Sequence, residues 1–90
     1  MQIEYHKDDV SFIADVMRWA PIGPIIEKLK NGFISIECDE YMCCELTNHE
    51  LNELVGYLCH EANHNTKKRV AERIGKIADS LEVQSQLGRI

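Results

Sequence analysis

The patterning of this 90-residue chain predicts a single small α+β domain. Apolar residues recur at helical spacing in separate stretches, and two short runs in the middle alternate like strands. Proline, Asn-Gly or a capping residue stands at the joints. The expected order is an N-terminal kinked helix pair, one β-hairpin and two further helices. The domain covers 1–90, with 84–90 a loose tail.

Asp8 or Asp9 suits the cap of a first helix running to about Ala20, with Val10, Ile13, Val16 or Met17, and Ala20 at helical spacing. Pro21 ends it, and Pro24 suits the first position of a second helix, Ile25 to Lys30, stopped by Asn31-Gly32. Phe33 to Cys38 and Met42 to Leu46 read as two strands around a three-residue loop, Asp39-Glu40-Tyr41. That loop sets Cys38 opposite Met42, Ile36 opposite Cys44 and Ile34 opposite Leu46, with Ser35, Glu37, Cys43 and Glu45 on the other face. Thr47-Asn48-His49-Glu50 is a capping box, and Leu51, Leu54, Val55, Leu58 and Ala62 mark the buried stripe behind it. Asn63-His64-Asn65 weakens that helix. Thr66 can cap the last one, whose stripe is Val70, Ile74, Ile77, Ala78 and Leu81.

Composition narrows the function classes. Apolar residues make up 44% of the chain, enough for a core and against disorder. No apolar run approaches the roughly 20 residues that span a bilayer, and Met1 to His6 lacks the pattern of a signal peptide. The expected setting is the cytoplasm, of a host cell if the protein is phage-encoded. Four cysteines there point to packing or metal before disulfides. The net charge of −5 is uneven: residues 1–65 carry twelve acids against four bases, and residues 66–90 six bases against three acids. An acidic body with one basic helix argues against nucleic acid as a direct ligand over the whole surface and fits a partner whose surface is basic.

The most specific pattern is Leu58-Cys59-His60-Glu61-Ala62-Asn63-His64, which reads His-Glu-x-x-His. Histidines four apart lie one above the other on a helix and can share a metal ion, and a glutamate beside them can polarise a bound water. These five residues resemble the zinc-binding motif of zincin metallopeptidases. The resemblance implies zinc on His60 and His64 and Glu61 as general base, with Glu82 or a cysteine as third ligand. A helical wheel puts both histidines away from the apolar stripe, so exposed histidines without a ligand are the plain alternative. A structural zinc ion is the third reading. The helix from Thr47 reaches about 20 Å back along its hairpin, level with the tip. The preferred ligands are then Cys38, Cys44, His60 and His64, with Cys43 or Cys59 as substitutes.

In size, charge and lack of a catalytic constellation the chain resembles the small phage-encoded inhibitors of bacterial immune nucleases, the anti-CRISPR proteins. The resemblance is one of general character and carries no residue with it. It implies a non-enzymatic protein that occupies a basic surface of a nucleic-acid-processing effector or blocks its motion. Glu37, Asp39, Glu40 and Glu45 are the acidic candidates for that contact, with Tyr41 as an aromatic anchor. A solvated hairpin edge protected by charge is the plain reading of the same residues. The alternatives in other classes are a minimal zinc metallopeptidase, and a nucleic-acid-binding regulator using the helix Lys67-Lys68-Arg69-Arg73-Lys76.

Overall fold

In the computed structural model, which describes residues 1–87, the chain opens with a strand that the helical reading passes over. Gln2-Ile3-Glu4-Tyr5-His6 alternates polar and apolar side chains and forms β1 (Gln2–His6), with Ile3 and Tyr5 buried. It enters α1 (Lys7–Val16) without a loop. His6, not Asp8 or Asp9, holds the cap: its Nδ1 accepts from Asp8 N at 3.1 Å. The two aspartates occupy the first turn, where the helix dipole favours them. The helix stops at Val16 rather than Ala20. Ala20 N donates to Met17 O at 3.0 Å, and this turn buries Met17 completely before Pro21. α2 (Gly23–Lys30) has Pro24 in its first turn and buries Ile25, Ile26 and Leu29.

Gly32 brings the end of α2 against the sheet. A Cβ there would lie 2.6 Å from the Cys43 carbonyl oxygen and run into the Tyr5 hydroxyl. This close passage sets Phe33 opposite Cys43 and Ile34 opposite Met42, so β2 (Phe33–Ile34) pairs with the beginning of β3 (Tyr41–Glu45). The expected pairs Ile34–Leu46, Ile36–Cys44 and Cys38–Met42 do not form. On the other side of β3, β1 pairs along its whole length: Ile3 faces Cys44, His6 faces Tyr41, and Leu46 N donates to Met1 O at 2.9 Å. The sheet is antiparallel in the order β1-β3-β2. The register shift is even, so Ile34, Met42, Cys44 and Leu46 keep one face. Ile36 and Cys38, however, leave the sheet for the segment 35–40, and Tyr41 opens β3 instead of closing a loop.

The capping box at Thr47 forms as read, with Thr47 Oγ1 accepting from Glu50 N at 3.1 Å and Glu50 Oε1 from Thr47 N at 2.9 Å. It starts α3 (Asn48–His64), which buries Leu51, Leu54 and Leu58 completely. Truncating one of these to Ala costs about 2–5 kcal/mol. α4 (Lys68–Leu87) packs along α3 through Ile74, Ile77, Ala78 and Leu81. Lys67 rather than Thr66 precedes it, its carbonyl accepting from Ala71 N. Residues 84–87, expected as a loose tail, continue this helix with Ser85 buried; 88–90 lie outside the described residues. One apolar cluster draws on every element except β2. Among the described residues no helix is long and apolar enough to cross a membrane.

Candidate functional site

Two surfaces gather the residues singled out from the sequence: the polar side of α3 and the β2 side of the sheet. On α3, His60 and His64 are exposed, as the helical wheel implies, and their rings stack with centroids 4.2 Å apart. His64 Nδ1 lies 2.8 Å from the His60 carbonyl oxygen, which can only accept, so that nitrogen is the donor, and in the neutral ring the lone pair lies on Nε2. The pair does not reach the hairpin tip. It stands beside Trp19, whose ring centroid is 5.6 Å from that of His60.

Glu61 is tied down on both oxygens. Trp19 Nε1 donates to Oε1 at 2.8 Å, and Asn65 Nδ2 donates to Oε2 at 2.9 Å. The carboxylate thereby clamps the Met17–Ala20 turn to the end of α3. This is a structural tie at the position that the peptidase reading gives to a general base.

The cysteines are scattered. Cys38 is exposed in the segment 35–40 and Cys59 is exposed on α3; Cys43 and Cys44 are buried on opposite faces of β3. Burial pushes the Cys44 thiol up from its ordinary pKa, an effect only partly countered by Tyr5 and Lys28, so the thiolate a metal requires is disfavoured. Among the described residues no three His, Cys, Asp or Glu side chains gather as a metal-holding group. Of the set Cys38, Cys44, His60 and His64, the fold brings together only the histidines. Glu82 edges a separate hollow with Asn52, Val55, Ser85 and Gln86.

The two edges of the sheet differ. Alternation of the ladder points the main-chain groups of Glu4 outward from β1. Gln84 meets both, accepting from Glu4 N at 2.7 Å and donating to Glu4 O at 2.8 Å. On the other edge Ser35 N donates inward to Tyr41 O, so the main-chain groups of Ile34 point away from the sheet. Phe33, Ile34, Ile36 and Tyr41 are exposed around this edge, Ile36 entirely so at 101%. Glu37, Asp39 and Glu40 follow in the same segment, with Glu40 Oε2 3.7 Å from His6 Nε2. Glu45 stands at the far end of β3, its Oε2 3.0 Å from Met1 N.

The basic helix is partly engaged within the molecule. Arg73 lies 4.0 Å over the Phe12 ring and its Nη2 is 3.0 Å from Asp9 Oδ1. Sequence reasoning missed Trp19 as a site residue. Its signal was a second stripe on α3 at helical spacing, Glu53, Tyr57, His60 and His64, running away from the leucines and in want of a partner. No family model, curated protein or solved structure matches the chain.

Proposed function

We propose that the chain is a small non-enzymatic protein-binding module that engages a basic surface of a nucleic-acid-processing effector and inhibits it, in the manner of the anti-CRISPR proteins. The observation supporting this is the open β2 edge. Outward main-chain groups at Ile34 can accept an added strand, and the neighbouring exposed apolar side chains provide anchoring area. The carboxylates of Glu37, Asp39 and Glu40 would steer a basic partner toward it. Sealing of the opposite edge by Gln84 leaves this edge as the side open to pairing.

The test is inhibition of purified guide-directed nucleases at two salt concentrations. Association should slow as salt rises. Reversal of Glu37, Asp39 and Glu40 to lysine, or Ile36→Asp, should weaken inhibition without moving the melting temperature. A triple reversal that inhibits as well as the parent sinks this contact surface. Tight binding of free DNA by the parent at physiological salt transfers the reading to the basic helix.

A zinc ion enters this proposal only in reduced form. The stacked His60–His64 pair offers two imidazole donors one helical turn apart, and the cysteines expected to complete a tetrahedral site are not beside it. The ion would therefore sit at the surface of α3 as a two-histidine chelate.

A further inference from the structure

On the polar side of α3 an open hollow of about 440 Å³ is lined by Trp19, Glu53, Gly56, Tyr57 and His60. Its walls are aromatic faces set at steep angles. Trp19 and Tyr57 meet edge-to-face with centroids 5.6 Å apart and planes at 71°, and His60 tilts against the same indole at 55°. Glu61 fixes the indole through its N–H, and Trp19 is 50% exposed, so the ring is both held and accessible. Glu53 supplies a carboxylate at the rim, anchored on one side by His49 Nε2 at 2.6 Å. Gly56 forms a bare stretch of helix between them. Glycine inside a helix is unfavourable, and no neighbour here requires it: a Cβ would meet nothing within 4 Å. Its effect is to leave the hollow open.

Aromatic faces beside a carboxylate, with His60 but no lysine or arginine in the lining among the described residues, suit an organic cation. The molecule uses the same chemistry internally, where Arg73 lies over Phe12 and bonds Asp9. We propose that this hollow binds an arginine side chain of a protein partner, with the guanidinium stacked on Trp19 and paired with Glu53. A planar guanidinium gains both contacts at once, whereas an ammonium acts as a point charge. The occupant rests on the protein-binding reading above. The site itself shares no residue with the β2 edge.

The test is nuclear magnetic resonance titration of the full chain, read at Trp19. As the only tryptophan it gives one indole N–H signal. N-acetyl-arginine methylamide should shift that signal and the Glu53 and Tyr57 amides saturably, with a dissociation constant on the order of 50–200 mM, the combined strength of one exposed cation–π contact and one surface ion pair. The neutral norleucine derivative and sodium chloride at matched ionic strength should not. Glu53→Gln should weaken the response about threefold or more. Gly56→Leu, whose Cβ would meet nothing within 4 Å and whose branches would extend into the hollow, should abolish the response while keeping or raising the melting temperature. Absence of saturation, an equal response to norleucine, or an unchanged affinity in Glu53→Gln overturns the proposal. An equal or stronger response to the lysine derivative or to tetramethylammonium overturns the guanidinium assignment. No partner protein is present in this titration, so its failure leaves the inhibition assay standing, and the reverse holds.

Discussion

Gln84 and Glu4 are joined across the edge of the sheet as one peptide unit is to the next: the Gln84 amide both donates to Glu4 O and accepts from Glu4 N. A side chain from the last turns of α4 thus completes the outward face of β1. It also fastens residue 84, expected in a loose tail, to the sheet.

Gln84→Ala should therefore lower stability by about 1–2 kcal/mol, the net worth of two exposed hydrogen bonds. Gln84→Glu keeps an acceptor, loses the donor and adds charge beside Glu4, so it should melt at or below the alanine variant. Hydrogen exchange checks the location: the Glu4 amide should exchange faster in Gln84→Ala, which removes its acceptor, and less so in Gln84→Glu, which keeps one. Unchanged exchange at Glu4 would mean the amide pair does not persist in solution.

Tyr5 and Gly32 make a second dependent pair. The Tyr5 hydroxyl donates to Leu29 O at 2.6 Å in the interior, and burial drives the phenol pKa upward, so it remains a donor. Tyr5→Phe should cost about 1–2 kcal/mol by removing the shorter bond to that carbonyl and leaving it the longer one from Gly32 N at 3.4 Å. Gly32→Ala should cost a similar amount, about 1–3 kcal/mol, through overpacking. Combining them removes the hydroxyl from the clash and leaves the Cys43 carbonyl in place, so the double variant should lose less than the sum. Strict additivity in chemical denaturation would contradict the shared contact.

The helices were legible in the sequence because each buries one face over several turns. The leucines of α3 and the isoleucines of α4 repeat often enough to fix both, and the Thr47–Glu50 box marks its boundary by local chemistry. The sheet was half legible. Alternation sorts Ile34, Met42, Cys44 and Leu46 to one face, but an even shift of register leaves that sorting unchanged. The close passage of Gly32 against Tyr5 and the Cys43 carbonyl, a contact distant in sequence, fixes the register. The alternation over residues 2–6 was present and passed unused, since a five-residue strand is a weak signal without its partner. On α3 the outward direction of the histidines followed from the wheel. Their neighbour Trp19, forty-one residues away from His60, followed from nothing local.

Acid should weaken the fold partly through Glu50. The Lys28 ammonium, with Nζ at 2.7 Å from Oε2, and then the Thr47 amide hold this carboxyl below its ordinary 4.5. Folding lowers the pKa, so the group stabilises fully above that ordinary value and loses its contribution as pH falls through the lowered one. Thermal melts between about pH 5 and pH 2 should show a shallower loss for Glu50→Gln than for the parent. Parallel curves for the two proteins would show that the Lys28–Glu50 pair carries no pH dependence.

Alkylation of the thiols tests cysteine burial and the zinc reading together. Cys38 and Cys59 are exposed and should react rapidly with iodoacetamide, whereas Cys43 and Cys44 should react only on unfolding. Mass spectrometry after brief labelling should show two modified sites. Added zinc then separates the ligand sets. If the ion sits on His60 and His64 alone, it should shift the resonances of those rings, and a chelator should restore them, with the labelling of Cys38 unaltered. Slower labelling of Cys38 in zinc, reversed by the chelator, would show the segment 35–40 moving to join the histidines as ligand. Zinc-dependent protection of Cys44 beyond that of the metal-free fold would require β3 to repack, because its thiol is buried beside Tyr5. Neither ring shifts nor any change in labelling at millimolar zinc would remove the metal from this protein altogether.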